Sequence, residues 1–401
     1  SLAVRTDRRA MSSRAIVRLS GLWVLLVAAC SGTSGPSGDI AVAATGNGTI
    51  PLGAVFNVPA TFSDSSNQSP WSYSISWGDG NNSSGSTSTP GVIPATHEYT
   101  ADGSFHVGVT VTNSRGANGT ASFTLTTTDP VLVGAGDIAD CTRTSDDATG
   151  RALDTIPGIV MALGDNAYLD GTPDEYNNCY GPTWGRHKAR TRPVAGNHDY
   201  NTPGATGYFG YFGPAAGDPS KGYYSFSIGV WFVIVLNTGT DRPVNYEAGS
   251  PQEQWLRNEL ATHSQQCVLA LWHHPRFSTT EGRDPIRPEV TALWNALYEY
   301  GVDLVVNGHD HSYQRFAPQK PDATADAAFG IRQIVAGTGG GEGLYAFAPV
   351  PQGSNLEVRN NDTWGVLKLT LRAGGYDWRF IRAAGGTFTD SGSGTCHGRP
   401  M

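Results

Sequence analysis

The sequence predicts two domains in series: an all-β sandwich, then a larger α/β domain of buried sheet and flanking helices. Two observations separate them. Residues 40–128 hold short alternating strands divided by turn signals, whereas from Pro130 onward short apolar runs alternate with amphipathic stretches. A third observation bears on function, because five polar motifs each close an apolar, strand-like stretch. A chain of 401 residues is long enough for both domains.

Composition narrows the class. The 51 glycines exceed the ~7% average, and charged residues are 15% of the chain against ~25% in typical domains, a pattern of many turns and few long charged helices. Net charge is −8 and the pI is near 5.6. No basic run occurs beyond the first twenty residues, which excludes nucleic acid as the main partner.

Residues 1–30 read as targeting sequence. Arg14 and Arg18 precede an apolar core, Leu19 to Ala29, too short to span a bilayer but suited to a signal peptide. Val27-Ala28-Ala29-Cys30 resembles the bacterial lipobox, in which the cysteine is acylated. That implies an exported cell-envelope lipoprotein, periplasmic or extracellular, with Cys30 anchoring it to a membrane. An ordinary secretory signal is the alternative. Residues 1–10 lack a starting Met and read as upstream sequence, and residues 31–39 form a Ser/Gly-rich linker.

Four further cysteines remain: Cys141, Cys179, Cys267 and Cys396. In an exported chain an even count implies two disulfides, and sequence alone permits three pairings. Cys141–Cys179 is favoured, since both follow the first two polar motifs. Cys267–Cys396 would then tie the C-terminal tail to the start of a buried strand. The absence of a Cys-x-x-Cys pair argues against a structural zinc site.

The block from 40 to 128 contains alternating strands such as Trp71–Trp77 and Ser104–Thr112, with turns at Gly78-Asp79-Gly80-Asn81, Ala101-Asp102-Gly103 and Ser114-Arg115-Gly116. That spacing predicts a β-sandwich. Trp77-Gly78-Asp79-Gly80, with His97-Glu98-Tyr99 and Gly103 to Val107, resembles the PKD domain, an immunoglobulin-like module of surface and secreted proteins. The resemblance implies a spacer or a contact with surface polysaccharide or protein, with Trp71 and Trp77 as core and turn residues.

From 130 to 398 the apolar runs Val131–Ala135, Gly158–Leu163, Trp231–Leu236, Cys267–Trp272 and Val302–Val306 read as strands buried on both faces. Pro251–Leu260 and Pro288–Tyr298 read as helices with Pro in the first turn. Leu367–Leu371 and Asp377–Ile381 read as a closing hairpin. In such sheets ligand groups collect beyond the strands' carboxyl ends. The motifs stand there: Gly136-Asp137, Gly164-Asp165-Asn166-Ala167-Tyr168, Gly196-Asn197-His198-Asp199, His273-His274-Pro275 and Gly308-His309-Asp310-His311. Two carboxylates, a phenol, an amide and three or more imidazoles suffice to hold two adjacent metals, a device for displacing oxygen at phosphorus.

In order, these motifs resemble those of the calcineurin-like metallophosphoesterases, a β-sheet sandwich flanked by helices. Tyr168 narrows the resemblance to the purple acid phosphatase branch. The resemblance implies a dinuclear centre, with Asp137, Tyr168 and His311 on the first metal and Asp165 bridging. Asn197, His273 and His309 complete the second. His273 is taken over His274 because the family places its ligand two residues before the proline. A phenolate donor favours Fe(III); the partner metal would be Fe(II), Zn(II) or Mn(II). Phosphomonoester hydrolysis by a metal-bound hydroxide is the implied activity, with a small phosphate ester as substrate. His198 is the implied proton donor to the leaving oxygen, oriented by Asp199.

The sequence departs from the plant enzymes where they carry a pair of histidines. Gly282 and Arg283 stand there instead. Arg283 either binds phosphate bidentately or is a surface arginine, and His274 either lines the substrate pocket or lies behind it. Asp140 reads as a turn residue, the aromatic run Gly207–Gly213 as a loop at the pocket rim, and Gly337–Gly343 as a tight turn beside the sheet. A phosphodiesterase or nucleotidase on the same centre is the nearest alternative. A surface binding protein with a vestigial phosphatase domain is the alternative from another class.

Overall fold

The computed structural model describes residues 40–239 and 245–399. The targeting segment, Cys30 and the linker at 31–39 lie outside the described residues.

The N-terminal block forms a β-sandwich. A five-stranded sheet runs in the order Gly48–Pro51, Asn118–Thr128, Gly103–Thr112, Trp71–Ser76, Asn82–Thr87, and faces a three-stranded sheet of Ile40–Ala44, Ala60–Asp64 and Gly91–Val92. Val107, Val109 and Val111 point into the core at the strand period of two, beside Ile75, Phe123 and Leu125. Trp71 and Trp77 are both buried in that core, each with its indole N–H bonded, to Asp64 and Ser83. Neither presents a face to a sugar.

The C-terminal block is a sandwich of two mixed sheets. The first runs Thr191–Val194, Ile159–Leu163, Val131–Ala135, Gly365–Arg372, Gly375–Arg382, Ser391–Thr395. Its first three strands are mutually parallel, and the expected hairpin pairs antiparallel to Val131–Ala135. The second sheet runs Tyr224–Ile228, Trp231–Val235, Cys267–Leu271, Leu304–Asn307, Ile331–Ala336, Tyr313–Gln319, Leu356–Asn360. Here Trp231–Val235, Cys267–Leu271, Leu304–Asn307 and Ile331–Ala336 run parallel.

Strand sequences explain this layering. Along Trp231–Leu236, Trp231, Val233 and Val235 enter the layer between the sheets, while Phe232, Ile234 and Leu236 face the helices outside. Leu269 and Leu271 point inward while Val268 and Ala270 point outward in the same way. Each such side chain contributes about 1.5–3 kcal/mol of burial, so no face of these strands can be polar. Leu256 and Leu260 of the Pro251–Thr262 helix, and Leu293, Trp294 and Leu297 of the Thr291–Glu299 helix, cover the outer face. Ser250 caps the first helix by accepting the Glu253 N–H at 3.2 Å, with Pro251 in its first turn.

One expectation changes and another holds. The aromatic run at 207–213 is not a rim loop: Thr206–Phe212 is a helix, and Tyr208, Phe209 and Phe212 are buried in the core outside the first sheet. Tyr211 and Phe212 pack against Tyr176 and Tyr180 through edge and stacked ring contacts, and burial of that area outweighs the weak helix propensity of glycine. Asp140 does serve as a turn residue, its Oδ1 accepting from the N–H and hydroxyl of Thr142.

Disulfides join Cys141 to Cys179 and Cys267 to Cys396. The second is reinforced by buried Asp303, whose carboxylate accepts from Val268 N at 2.8 Å and from His397 N at 2.6 Å. Burial pushes this carboxyl up to about 6, against the pull of those two amides. A carboxyl raised above its unfolded value of ~3.9 contributes stability that is complete below that value and is lost as pH rises through the folded pKa. The urea midpoint of Asp303→Asn relative to the parent should therefore improve as pH rises from about 4 to about 7. A difference that stays flat across that window contradicts the assignment.

Candidate metal centre

The site is assembled by strand ends. Val131–Ala135, Ile159–Leu163 and Thr191–Val194 deliver Asp137, Asp165 and Asn197 from one sheet, and Cys267–Leu271 and Leu304–Asn307 deliver His273 and His309 from the other. The two sheets touch backbone to backbone at this edge. A Cβ on Gly136 would stand 3.0 Å from the Gly308 Cα, and one on Gly164 only 2.4 Å from His273 Nδ1. In the four motifs that carry one, the glycine lets the following donor reach the centre.

Three of the expected ligands, Asp137, Asp165 and His309, have φ of 61°, 50° and 70°. Non-glycine residues rarely occupy this left-handed region, and such conformations cluster at functional sites.

The side chains converge. The Tyr168 hydroxyl lies 3.1 Å from Asp137 Oδ1, 3.4 Å from Asp165 Oδ2 and 3.0 Å from His311 Nε2. His311 Nε2 is 3.3 Å from Asp137 Oδ1. On the other side His309 Nδ1 stands 3.0 Å from Asn197 Oδ1 and 3.3 Å from His273 Nε2. Asp165 Oδ2 joins the halves, 3.1 Å from His273 Nε2. All except Asn197 are buried. Backbone carbonyls hold the remaining imidazole nitrogens: His273 Nδ1 bonds Leu163 O at 2.8 Å and His311 Nδ1 bonds Gly343 O at 3.0 Å. Such partners fix the tautomer that turns a lone pair toward a metal.

This donor set fits two cations. Donor atoms about 3 Å apart are the spacing that bonds of ~2.0–2.2 Å to one ion produce. Burial first, then the carboxylates of Asp137 and Asp165, push the Tyr168 phenol far up, so a phenolate here requires compensating positive charge. Burial and the neighbouring His274 and His273 hold His309 well below the ordinary histidine value, leaving it neutral, as a ligand must be.

The structure revises the role of Asp199. Its carboxylate accepts from Gly196 N (2.8 Å), Asn166 N (3.2 Å), Asn166 Nδ2 (2.9 Å) and the Tyr176 hydroxyl (2.6 Å), and turns away from the neighbouring imidazole. Its position at the first turn after Asn197 directs it into the core behind both motifs. His198 is instead oriented by Leu169 O, 2.6 Å from Nδ1, and its backbone N–H donates to Asp165 Oδ1 at 2.8 Å. His198 Nε2 lies 4.0 Å from Asp165 Oδ2, at the edge of the centre.

His274 packs against His309, ring centroids 4.1 Å apart, with Nδ1 3.1 Å from Thr238 Oγ1. Arg283 reaches inward, Nε 3.8 Å from Asp310 Oδ1, with its guanidinium 5.8 Å from the Tyr345 ring centroid. Tyr345 stacks on His311 at 4.1 Å and 9°. Sequence reasoning missed Tyr345, Tyr176 and Asn166. Only Asn166 stood inside a motif; Tyr345 follows the Gly-rich turn with no spacing to mark it. That turn lies over the site, Gly341 N donating to Asp137 O at 2.8 Å, and a Cβ at 341 would meet the Tyr168 ring at 2.4 Å.

Residues 130–313 match the family model for calcineurin-like phosphoesterases, and residues 39–127 match that for PKD domains. Residues 130–313 are thus a calcineurin-like phosphoesterase domain, preceded by a PKD domain. Among its relatives is purple acid phosphatase 15 of Arabidopsis thaliana, 26% identical over 43% of this chain and 38% of that protein. Another is Fe(3+)-Zn(2+) purple acid phosphatase 12 of Arabidopsis thaliana, 28% identical over 39% of this chain and 36% of that protein. This chain thus spans well under half the length of these relatives. Its fold is similar to that of a purple acid phosphatase from yellow lupin (Lupinus luteus) seeds, with a TM-score of 0.51 and 17% identity over 84% of this chain and 72% of that one.

If Asp199 braces the motifs and does not act on His198, Asp199→Asn should lower unfolding stability by about 1–3 kcal/mol through unmatched buried donors. The pH profile of turnover should keep its shape. A profile whose limb shifts while stability holds would restore the orienting role.

Proposed function

We propose that this domain hydrolyses phosphomonoesters at a dinuclear centre held by Asp137, Asp165, Tyr168, Asn197, His273, His309 and His311. The observation that carries the reading is the position of Asp165 Oδ2, 3.4 Å from the Tyr168 hydroxyl and 3.1 Å from His273 Nε2, where one carboxylate serves both halves of the donor set. Fe(III) beside Tyr168, with Fe(II), Zn(II) or Mn(II) beside Asn197, His273 and His309, is the pairing that the donors favour. Likeness to the Fe(3+)-Zn(2+) purple acid phosphatase 12 supports it. Two such ions would supply adjacent positive charge that polarises a phosphate ester and acidifies water.

The chain's own residues do the rest. His198 has Nδ1 fixed on Leu169 O, which leaves Nε2 to hand a proton to the departing oxygen. Arg283 stands at the rim with a guanidinium suited to anionic oxygens of a substrate. His274, uncharged through burial and the nearby His273, lines the wall beside His309.

Two measurements test this. Protein as purified should carry about two metal ions and absorb broadly in the visible, with the band lost in Tyr168→Phe. It should cleave p-nitrophenyl phosphate in preference to bis(p-nitrophenyl) phosphate; the reverse preference makes it a diesterase. Bound metal without turnover of either ester would instead favour a binding role. His198→Ala should lower kcat by about 10²–10⁴ on alkyl phosphates and far less on p-nitrophenyl phosphate, whose leaving group needs little protonation. An equal loss on both would remove His198 as the acid.

A further inference from the structure

Immediately after His273-His274-Pro275 the chain makes a pinned excursion. Arg287 N donates to Arg276 O at 2.8 Å and Ser278 N to Pro285 O at 3.2 Å, closing residues 276–287 into a hairpin that turns at Gly282, φ 75°. Its base is bolted to the second sheet: Gln333 Oε1 accepts from Arg276 N and Phe277 N, and Gln314 Oε1 from Thr279 N. Two arginines on this hairpin are thereby carried to the metal ligands. Arg283 meets Asp310, which stands between His309 and His311. Arg287 donates from Nε to Pro275 O at 3.2 Å, two residues beyond His273.

Arg287 is incompletely satisfied. Its Nη2 is buried with no hydrogen-bond partner among the described residues, and it makes no ion pair there. Glu281, Asp284 and Glu289 on the same segment are exposed and pair with neither guanidinium among the described contacts. The Nε2 of His309, 7% exposed, is also a buried nitrogen without a partner. Buried donors lacking acceptors are costly until an acceptor arrives, and a guanidinium suits phosphate and carboxylate oxygens in pairs.

Charge counting decides what arrives. A single phosphate at a two-metal centre already faces two cations and His198, so two further guanidinium groups exceed what one phosphate needs. We propose that Arg283 and Arg287 form a subsite for a second anionic group of the substrate, so that this site takes phosphate compounds carrying another phosphate or a carboxylate. The proposal rests on the phosphatase reading, and it adds Arg287 and a substrate class to it.

The test is calorimetric titration of the protein as purified with inorganic pyrophosphate and inorganic phosphate, beside kcat/KM for pyrophosphate, 3-phosphoglycerate and β-glycerophosphate. Pyrophosphate should bind at least about tenfold more tightly than phosphate, and that advantage should shrink about tenfold in Arg283→Gln and in Arg287→Gln. Arg287→Lys should retain most of it. Loss of selectivity toward pyrophosphate alone identifies a second phosphate as the ligand, and loss toward 3-phosphoglycerate as well includes carboxylates. Equal affinity for the two anions in the parent, or an equal loss of both in the glutamine variants, overturns the subsite. If none of the esters is turned over, the hydrolase reading fails while calorimetry still decides the subsite. Arg283, at the hairpin tip and 33% exposed, keeps the test valid should Arg287→Gln not fold.

Discussion

The structure turns on one electrostatic constraint: two carboxylates, Asp137 and Asp165, are removed from water at the edge where two sheets meet. A buried anion is tolerated only where charge and hydrogen bonds answer it. Burial alone would raise Asp165, yet the imidazoles of His273 and His198 carry it below the ordinary carboxylate range. The surrounding architecture follows from meeting that demand. Parallel strands from both sheets end at one place, left-handed residues aim the side chains inward, and glycines permit the approach.

Behind the ligands lies a brace that is itself ionisable. Asp199 gathers amides from Gly196 and Asn166 and the hydroxyl of Tyr176, joining the second and third motifs to the aromatic layer. The Cys141–Cys179 disulfide fastens the loop after Asp137 to the short helical turn that carries Tyr176. The Gly-rich turn closes the opposite side by lying on Asp137 and Tyr168. Loops that carry functional groups are ordinarily mobile; here each is fixed at its base, and the donor atoms are held about 3 Å apart.

Beside the converging side chains, the segment after His273 departs from the histidine pair expected from the resemblance to plant enzymes. An arginine hairpin occupies the segment after His273, and guanidinium and imidazole differ in charge and reach. The PKD block contributes no comparable chemistry from its tryptophans. Trp71 and Trp77 are fully committed to the sandwich core, and His97 stacks on Trp77 while bonding Asp79.

Much was legible in the sequence because local physics encodes it. Period-two alternation marked the sandwich, and wholly apolar runs marked strands buried on two faces. The motifs Gly-Asp, Gly-Asp-x-x-Tyr, Gly-Asn-His, His-x-Pro and Gly-His-x-His marked the side chains that converge, since a donor just past a strand end, in four cases after a glycine, is a local condition of close approach. Less regular strands such as Tyr313–Gln319 and Leu356–Asn360, and the helix at 206–212, went unread, because partners distant in the chain decide whether those segments pair or coil. The same reason hid the direction of Asp199, the stacking of Tyr345 on His311 and the reach of Arg287. Which residues can hold a charge is written in the chain; which neighbours answer that charge is settled only when the two sheets close upon each other.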